Sequence, residues 1–207
     1  MRLRDKMRPS IPPMEPGVYF AVCSIVADLG TQYSEKFKSS APKVLIAFDI
    51  PSETAEVDGE QKPRQLSSRY TYSVDKKSNL YKLLVGWLGI TDEDKLADIE
   101  LFELIGRGCQ VQVTLDKDGG RNQISTVMGM PRGMEAPKTS NPLITYDIAE
   151  DGFEGARWEA LPEWLQKIVM QSEEYVKAAP DKPLDMPDTE GAAEAPAPVD
   201  AGRRPSF

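Results

Sequence analysis

Two runs decide the fold: Leu66-Ser67-Ser68-Arg69-Tyr70-Thr71-Tyr72-Ser73-Val74 and Cys109-Gln110-Val111-Gln112-Val113-Thr114-Leu115. The first alternates as a strand must, with Arg69, Thr71 and Ser73 on one face and Tyr70, Tyr72 and Val74 on the other. The second alternates more sharply: Cys109, Val111, Val113 and Leu115 face in, while Gln110, Gln112 and Thr114 face out. Between them, Lys76 to Gly106 has helical spacing. Ser78 is a candidate N-cap, and Leu80, Leu83, Leu84 and Trp87 share a face. Gly89 stops that helix, and Thr91 or Asp92 starts another that offers Leu96, Ile99, Phe102, Leu104 and Ile105 to the core. Gly106 and Gly108 close it. Beyond the second run, Asp118-Gly119-Gly120 makes a hairpin turn, and Ile124 to Met128 returns as a strand.

Two further strands lie upstream, at Val18–Ala27 and Lys43–Ile50. The order is strand, strand, strand, helix, strand, strand. That order predicts a mainly β fold with helices: a five-stranded OB-fold-like Greek-key barrel with a helix between strands three and four. Val18 to Val26 is apolar on both faces, which suits a long, curved strand covered on both sides. Thr31 to Pro42 reads as a loop with aromatic and basic residues interleaved, and Pro51 to Pro63 as a long acidic hairpin loop turning at Asp58-Gly59.

The chain divides accordingly. Residues 1–16 hold Pro9, Pro12, Pro13 and Pro16 and form a flexible lead-in, because proline lacks an N–H and fixes φ. Its Arg2, Arg4, Lys6 and Arg8 are either a solvated start or a contact for an acidic partner. Residues 17–135 are the barrel. Residues 136–178 are a linker and one appended amphipathic helix, with a stripe of Leu161, Leu165, Ile168 and Val169 and with Trp158 and Trp164 beside it. That helix packs on the barrel or on a second subunit, so a homo-oligomer is one expectation. Residues 179–207 are rich in Ala, Pro and acids, and bury too little apolar surface to offset chain entropy.

The 207 residues suffice for one core with extensions. Net charge is −8, which disfavours strong non-specific duplex binding but leaves room for a local basic groove. No histidine is present, so Ser-His and Cys-His pairs, histidine bases and histidine metal ligands are excluded. No Walker or dinucleotide-binding glycine pattern occurs. Asp92, Glu93, Asp94 and Asp98 have the spacing of a solvated helix face. Cys23 and Cys109 sit inside strands, as small buried apolar residues or as a disulfide. The expectation is a non-enzyme without cofactor or metal. With no apolar run of membrane-spanning length and no signal peptide, a cytoplasmic location is expected, with no membrane partner.

Binding is the better prospect. Readers of single strands combine aromatic stacking platforms with a basic groove. Candidate stacking residues are Tyr33, Phe37, Tyr70 and Tyr72. Candidate phosphate contacts are Lys36, Lys38, Lys43, Arg64, Arg69, Lys76, Lys77 and Arg121. Tyr70 and Tyr72 either fill the barrel or stack on bases; if they fill it, Arg69, Thr71 and Ser73 meet the ligand.

Several strings carry a family resemblance: Gly17-Val-Tyr-Phe-Ala-Val-Cys23, Asp28-Leu-Gly30-Thr-Gln32, Tyr70-Thr-Tyr-Ser73, Lys77-Ser-Asn-Leu80, Gly86-Trp-Leu-Gly89, Leu104-Ile-Gly-Arg-Gly-Cys109 and Gln123-Ile-Ser-Thr-Val127. Over about residues 15–135 the chain resembles a family of small phage and prophage proteins, some of them single-stranded-DNA-binding-like. The resemblance implies an OB-like barrel in phage replication or recombination, in the host cytoplasm, and fixes no residue roles. The tail, ending Pro205-Ser206-Phe207, is similar in layout to the acidic tails of bacterial single-strand-binding proteins, which dock partner enzymes through a terminal Pro-Phe. It departs from them at Arg203-Arg204 and Ser206. Docking of replication or recombination proteins on Phe207 is the implied role.

The expected function is single-stranded DNA binding without strong sequence preference. The alternative is a protein-interaction or virion-associated module on the same barrel, since such folds host many functions.

Overall fold

The computed structural model describes residues 11–57 and 59–178. The expectations for the first ten residues, for Asp58 and for the tail with Phe207 fall outside them. β1 (Gly17–Ser34) is the spine. A bulge between Cys23 and Ile25 lets it serve two neighbours. Before the bulge it pairs antiparallel with β4 (Gly108–Leu115). From Val22 onward it pairs antiparallel with β2 (Ser39–Val57). β3 (Glu60–Thr71) pairs with β2, and β5 (Asn122–Met128) with β4, giving the order β3-β2-β1-β4-β5. A short β6 (Ile144–Tyr146) runs parallel to Ile25–Ala27 and takes the edge of β1 that β4 leaves at Val22.

The strands are longer than their sequences suggest. Both presumed loops are mostly ladder: Tyr33 pairs with Ser40, and Thr54 to Val57 pair with Pro63 to Glu60. Polar residues are tolerated there because both hairpin arms project beyond the core and most of their side chains stay in water, while the buried Gln32 is hydrogen-bonded.

β3 and β5 end the sheet, and no ladder joins them among the described residues, so the sheet is open at this seam. Two elements cross it. α1 (Asn79–Leu88) packs against both strands. Its Ser78 cap accepts from the Tyr81 N–H, and Gly89 ends it in the left-handed conformation, as its sequence predicts. Gly86 lets α1 approach β5 closely: a Cβ there would lie 2.7 Å from the Val127 carbonyl oxygen. The lead-in crosses at another point. Met14 is buried, its N–H and carbonyl both bond the Asn122 amide, and the Pro12 carbonyl accepts from Arg64 at 2.6 Å. The described part of the lead-in, 11–16, is therefore docked by Met14 rather than a free arm, because that side chain adds apolar burial that the prolines do not oppose.

After α1, the chain makes α2 (Glu93–Ala97), capped by Asp92, and a 3-10 turn at Leu101–Leu104. Leu80, Leu84, Trp87, Leu96 and Leu104 join Ala21, Cys23, Val26, Ile46, Phe48 and Val111 in one core. Trp87 meets Phe48 edge-on at 5.3 Å and donates its indole N–H to the Gly108 carbonyl.

A second core covers the other face of β1 and β2. Ile25, Ala27, Leu29, Leu45 and Ala47 meet Tyr146, Leu161, Leu165, Ile168 and Val169. The apolar character of β1 on both faces thus has two separate causes. The expected linker from 136 instead contains β6 and α3 (Ile148–Asp151), and the single helix expected at about 156–178 is three short ones: α4 (Ala156–Glu159), α5 (Glu163–Val169) and α6 (Glu173–Ala178). Pro162 is not in the first turn of one helix but, at ψ 139, is the N-cap that separates α4 from α5, and the chain turns again between Val169 and Glu173. The stripe Leu161–Leu165–Ile168–Val169 is real and packs on the chain's own sheet. Trp158 stacks on Tyr175 and lies edge-on to Phe153, sealing this layer.

A polar clamp pins the layer's leading segment. Asp49 is fully buried on β2. It accepts from Ser24 Oγ at 2.8 Å, Gln65 Nε2 at 2.9 Å and Thr139 Oγ1 at 2.6 Å. Asn141 then donates to the Pro63 carbonyl. Neutral donors satisfy this buried carboxylate, which would be costly unpaired. Among the described residues, no helix is long and apolar enough to cross a membrane.

Candidate nucleic-acid interface

Ladder register sorts the candidate residues by face. Val44 and Tyr70 pair, and so do Leu45 and Arg69. Val44 and Tyr70 belong to the first core, whereas Leu45 lies under the C-terminal layer. Tyr70 is therefore core, at 5% exposure, and no base can stack on it. Burial, only partly offset by a hydrogen bond with Ser68, pushes its phenol up to about 12. The sequence left Tyr70 open because alternation fixes which residues share a face but not which face meets the core.

Tyr72 follows the same alternation but stands past the end of the core, 61% exposed. Its N–H bonds the Pro42 carbonyl at 2.9 Å. Pro42 also pairs with Thr31, and two residues along each strand Ser40 pairs with Tyr33. Alternation puts Tyr33, Ser40, Pro42 and Tyr72 on one face of this three-stranded ribbon. Strand rise and spacing set the two tyrosines roughly 12 Å apart. Tyr33 is 62% exposed and Phe37, at the hairpin tip, 59%. Lys36 lies over the Phe37 ring at 5.2 Å. Lys38 takes the tight turn at φ 48.

Lys77 joins this end from the β3–α1 turn. That turn is held by bonds from the Asp75 N–H to Ser73, from the Lys77 N–H to Asp75, and from the Ser78 hydroxyl to the Ser73 carbonyl. Lys76 is nearby but ion-paired with Glu93, whose hydrogen bond and charge raise its pKa.

The remaining candidates disperse. Lys43 and Arg69 share the opposite face of the ribbon, on the side of the C-terminal layer, and Lys43 bonds Thr71 Oγ1 at 2.9 Å. Arg64 lies toward the other end of β3, roughly 20 Å from Thr71 by strand rise, and is engaged by the Pro12 carbonyl. Arg121 belongs to the β4–β5 hairpin, where its N–H bonds Asp116. Register thus places Tyr33 and Tyr72 on one face at one end of the ribbon, with Lys36, Phe37 and Lys38 at the tip of the same arm and Lys76 and Lys77 on the turn that follows β3; Tyr70 is in the core, Lys43 and Arg69 are on the opposite face, and Arg64 and Arg121 lie elsewhere.

Two features escaped sequence reasoning. Val18 and Phe20 are exposed on the β1–β4 face, opposite Gln112 and Gln110; the apolar run around them hid their outward direction. The base of the β1–β2 arm is also gripped by α6, through residues far apart in sequence. Cys23 and Cys109 are free and buried, and burial, with a smaller contribution from Asp49, pushes the Cys23 thiol up to about 12. Among the described residues, no group of His, Cys, Asp and Glu could hold a metal ion.

No protein-family model matches the chain, and neither a curated protein nor a solved structure does.

Proposed function

We propose that the protein binds single-stranded DNA without strong sequence preference, through the end of the sheet formed by the β1–β2 arm and the β3–α1 turn. The observation that carries this reading is the placement of Tyr33 and Tyr72, both mostly exposed, on one face of one ribbon. Exposed rings beside lysines fit stacking with backbone neutralisation, each stacked base contributing roughly 1–3 kcal/mol. The strand order β3-β2-β1-β4-β5 with α1 across the seam supports an OB-like reading of the sheet, as a barrel whose β3 and β5 edges face each other. The resemblance noted above adds phage replication or recombination, in the host cytoplasm, as the setting. No enzymatic step is part of this account.

The test is fluorescence anisotropy with labelled oligo-dT, an equal-length duplex and a salt series. Single-strand binding that weakens with salt, with weaker duplex binding, is expected. No binding to either at low salt would overturn the proposal. A second reading, a protein-interaction module, is favoured by exposed Val18 and Phe20 on the β1–β4 face; pull-down lost on Phe20→Ser would support it.

A further inference from the structure

The arm that carries Tyr33 and Phe37 leaves the sheet at residues 30–32, and the C-terminal layer touches each of them. Gly30 sits at φ 66, where a Cβ would come within 2.5 Å of the Glu174 carboxylate and 2.8 Å of Ser172. Thr31 donates its N–H to Glu174 Oε2 and its hydroxyl to Glu174 Oε1, each at 2.8 Å. Gln32 is buried and donates from Nε2 to the Leu29 carbonyl at 2.7 Å and the Ile168 carbonyl at 3.1 Å. These contacts fall on the edge of β1 beyond β6, where among the described residues the strand pairs only with β2. The ladder between β1 and β2 shifts register between Asp28 and Thr31, at the root of the arm.

We infer that Glu174 is a positioning residue: from α6 it braces the root of the β1–β2 arm and so fixes the direction in which Tyr33 and Phe37 are presented. The brace deepens the single-strand reading and, for its effect on binding, rests on it. Two charge-assisted hydrogen bonds from consecutive groups of one residue resist rotation of the arm as well as separation. The carboxylate is suited to the task because each of its two oxygens accepts one of the donors, whereas an amide would present an NH2 donor in place of one of them. The C-terminal layer then does more than cover the second core. It joins the platform to α5 and α6, and only with that layer in place does the arm have a fixed orientation.

The test compares the full chain with its Glu174→Ala, Glu174→Gln and Thr31→Val variants by amide hydrogen exchange and oligo-dT anisotropy. With Glu174→Ala, exchange at Thr31 and along the arm is expected to rise roughly tenfold or more, the scale of a lost hydrogen bond to a charged group, while β4 and β5 keep their protection. Glu174→Gln keeps one acceptor and Thr31→Val keeps the backbone bond, so both should fall between. Oligo-dT affinity should drop in the same order. Unchanged arm exchange in Glu174→Ala would overturn the brace, whatever the binding result. If the native chain binds no oligo-dT, the single-strand reading is what has failed, and the exchange data still decide the brace. Faster arm exchange with undiminished affinity would overturn its role in presenting the rings.

Discussion

Thr139 donates its hydroxyl proton to Asp49 Oδ2 at 2.6 Å, across 90 positions of sequence. The bond joins the segment after β5 to the buried side of β2, and with it the start of the C-terminal layer to the sheet. Thr139→Val keeps the shape and removes the donor, leaving a buried carboxylate with one partner fewer. A loss of about 1–3 kcal/mol in unfolding free energy is expected by denaturant titration. A value within experimental error of the native protein would mean that water or another donor takes the place of Thr139.

Tyr70 and Tyr72 are two residues apart and should respond oppositely. Tyr70→Ala empties a core position and should cost about 3–5 kcal/mol of stability. Tyr72→Ala removes an exposed ring and should leave stability within about 0.5 kcal/mol of native. Thermal melts of both variants check the register; equal losses would contradict it.

Asp28 gives the structure a pH dependence of definite sign. Burial pushes its carboxyl up; the Gly30 N–H opposes this, and the Asp147 and Glu174 carboxylates add to it. A raised folded-state pKa means that the native protein holds this proton more tightly than the unfolded chain. Its contribution to stability therefore falls as pH rises from the usual value of 3.8 through the raised one. Asp28→Asn keeps the oxygen that accepts from the Gly30 N–H and removes the charge. The variant should be more stable than native at pH 7, with the advantage shrinking toward pH 3.5. Glu174 works in the other direction. Burial would raise it, but the Thr31 N–H and hydroxyl and the Lys177 charge outweigh that and hold it low, so its contribution is lost only as pH falls below the usual carboxylate range. A native-minus-variant difference for Asp28→Asn that does not change with pH would contradict this account.

Met14 tests the docking of the lead-in. Its side chain is buried in the first core, and its backbone bonds Asn122 twice. Met14→Ala should cost about 2–5 kcal/mol. A stability unchanged by the substitution would mean that the segment contributes nothing to closing the seam.

The elements legible in the sequence are those whose cause is local. Alternation at 109–115, the Ser78 cap and the Gly89 stop depend on neighbours within a turn or a strand, and they stand where the pattern put them. The face of Tyr70 is set by which side of β3 the first core occupies, and no local pattern carries that. The expected C-terminal helix kept its apolar stripe but lost its continuity at Pro162 and between Val169 and Glu173. β6, the docking of Met14 and the grips of Thr139 on Asp49 and of Glu174 on Thr31 join residues between 90 and 143 positions apart, and such pairings leave no periodic trace. Of the candidate site, the aromatic and basic character of the arm was visible. Its convergence with Tyr72, and the dispersal of Arg64, Arg69 and Arg121, follow from register alone.

The most direct test of the central claim is oligo-dT anisotropy with the native chain and a Tyr33→Ala/Tyr72→Ala variant side by side at one low salt concentration. The account predicts that the native chain binds, and that the double variant, equally stable in thermal melts, loses about 2–6 kcal/mol of binding free energy from two stacked bases. Equal affinity of the two proteins, or no binding by the native chain, would contradict it.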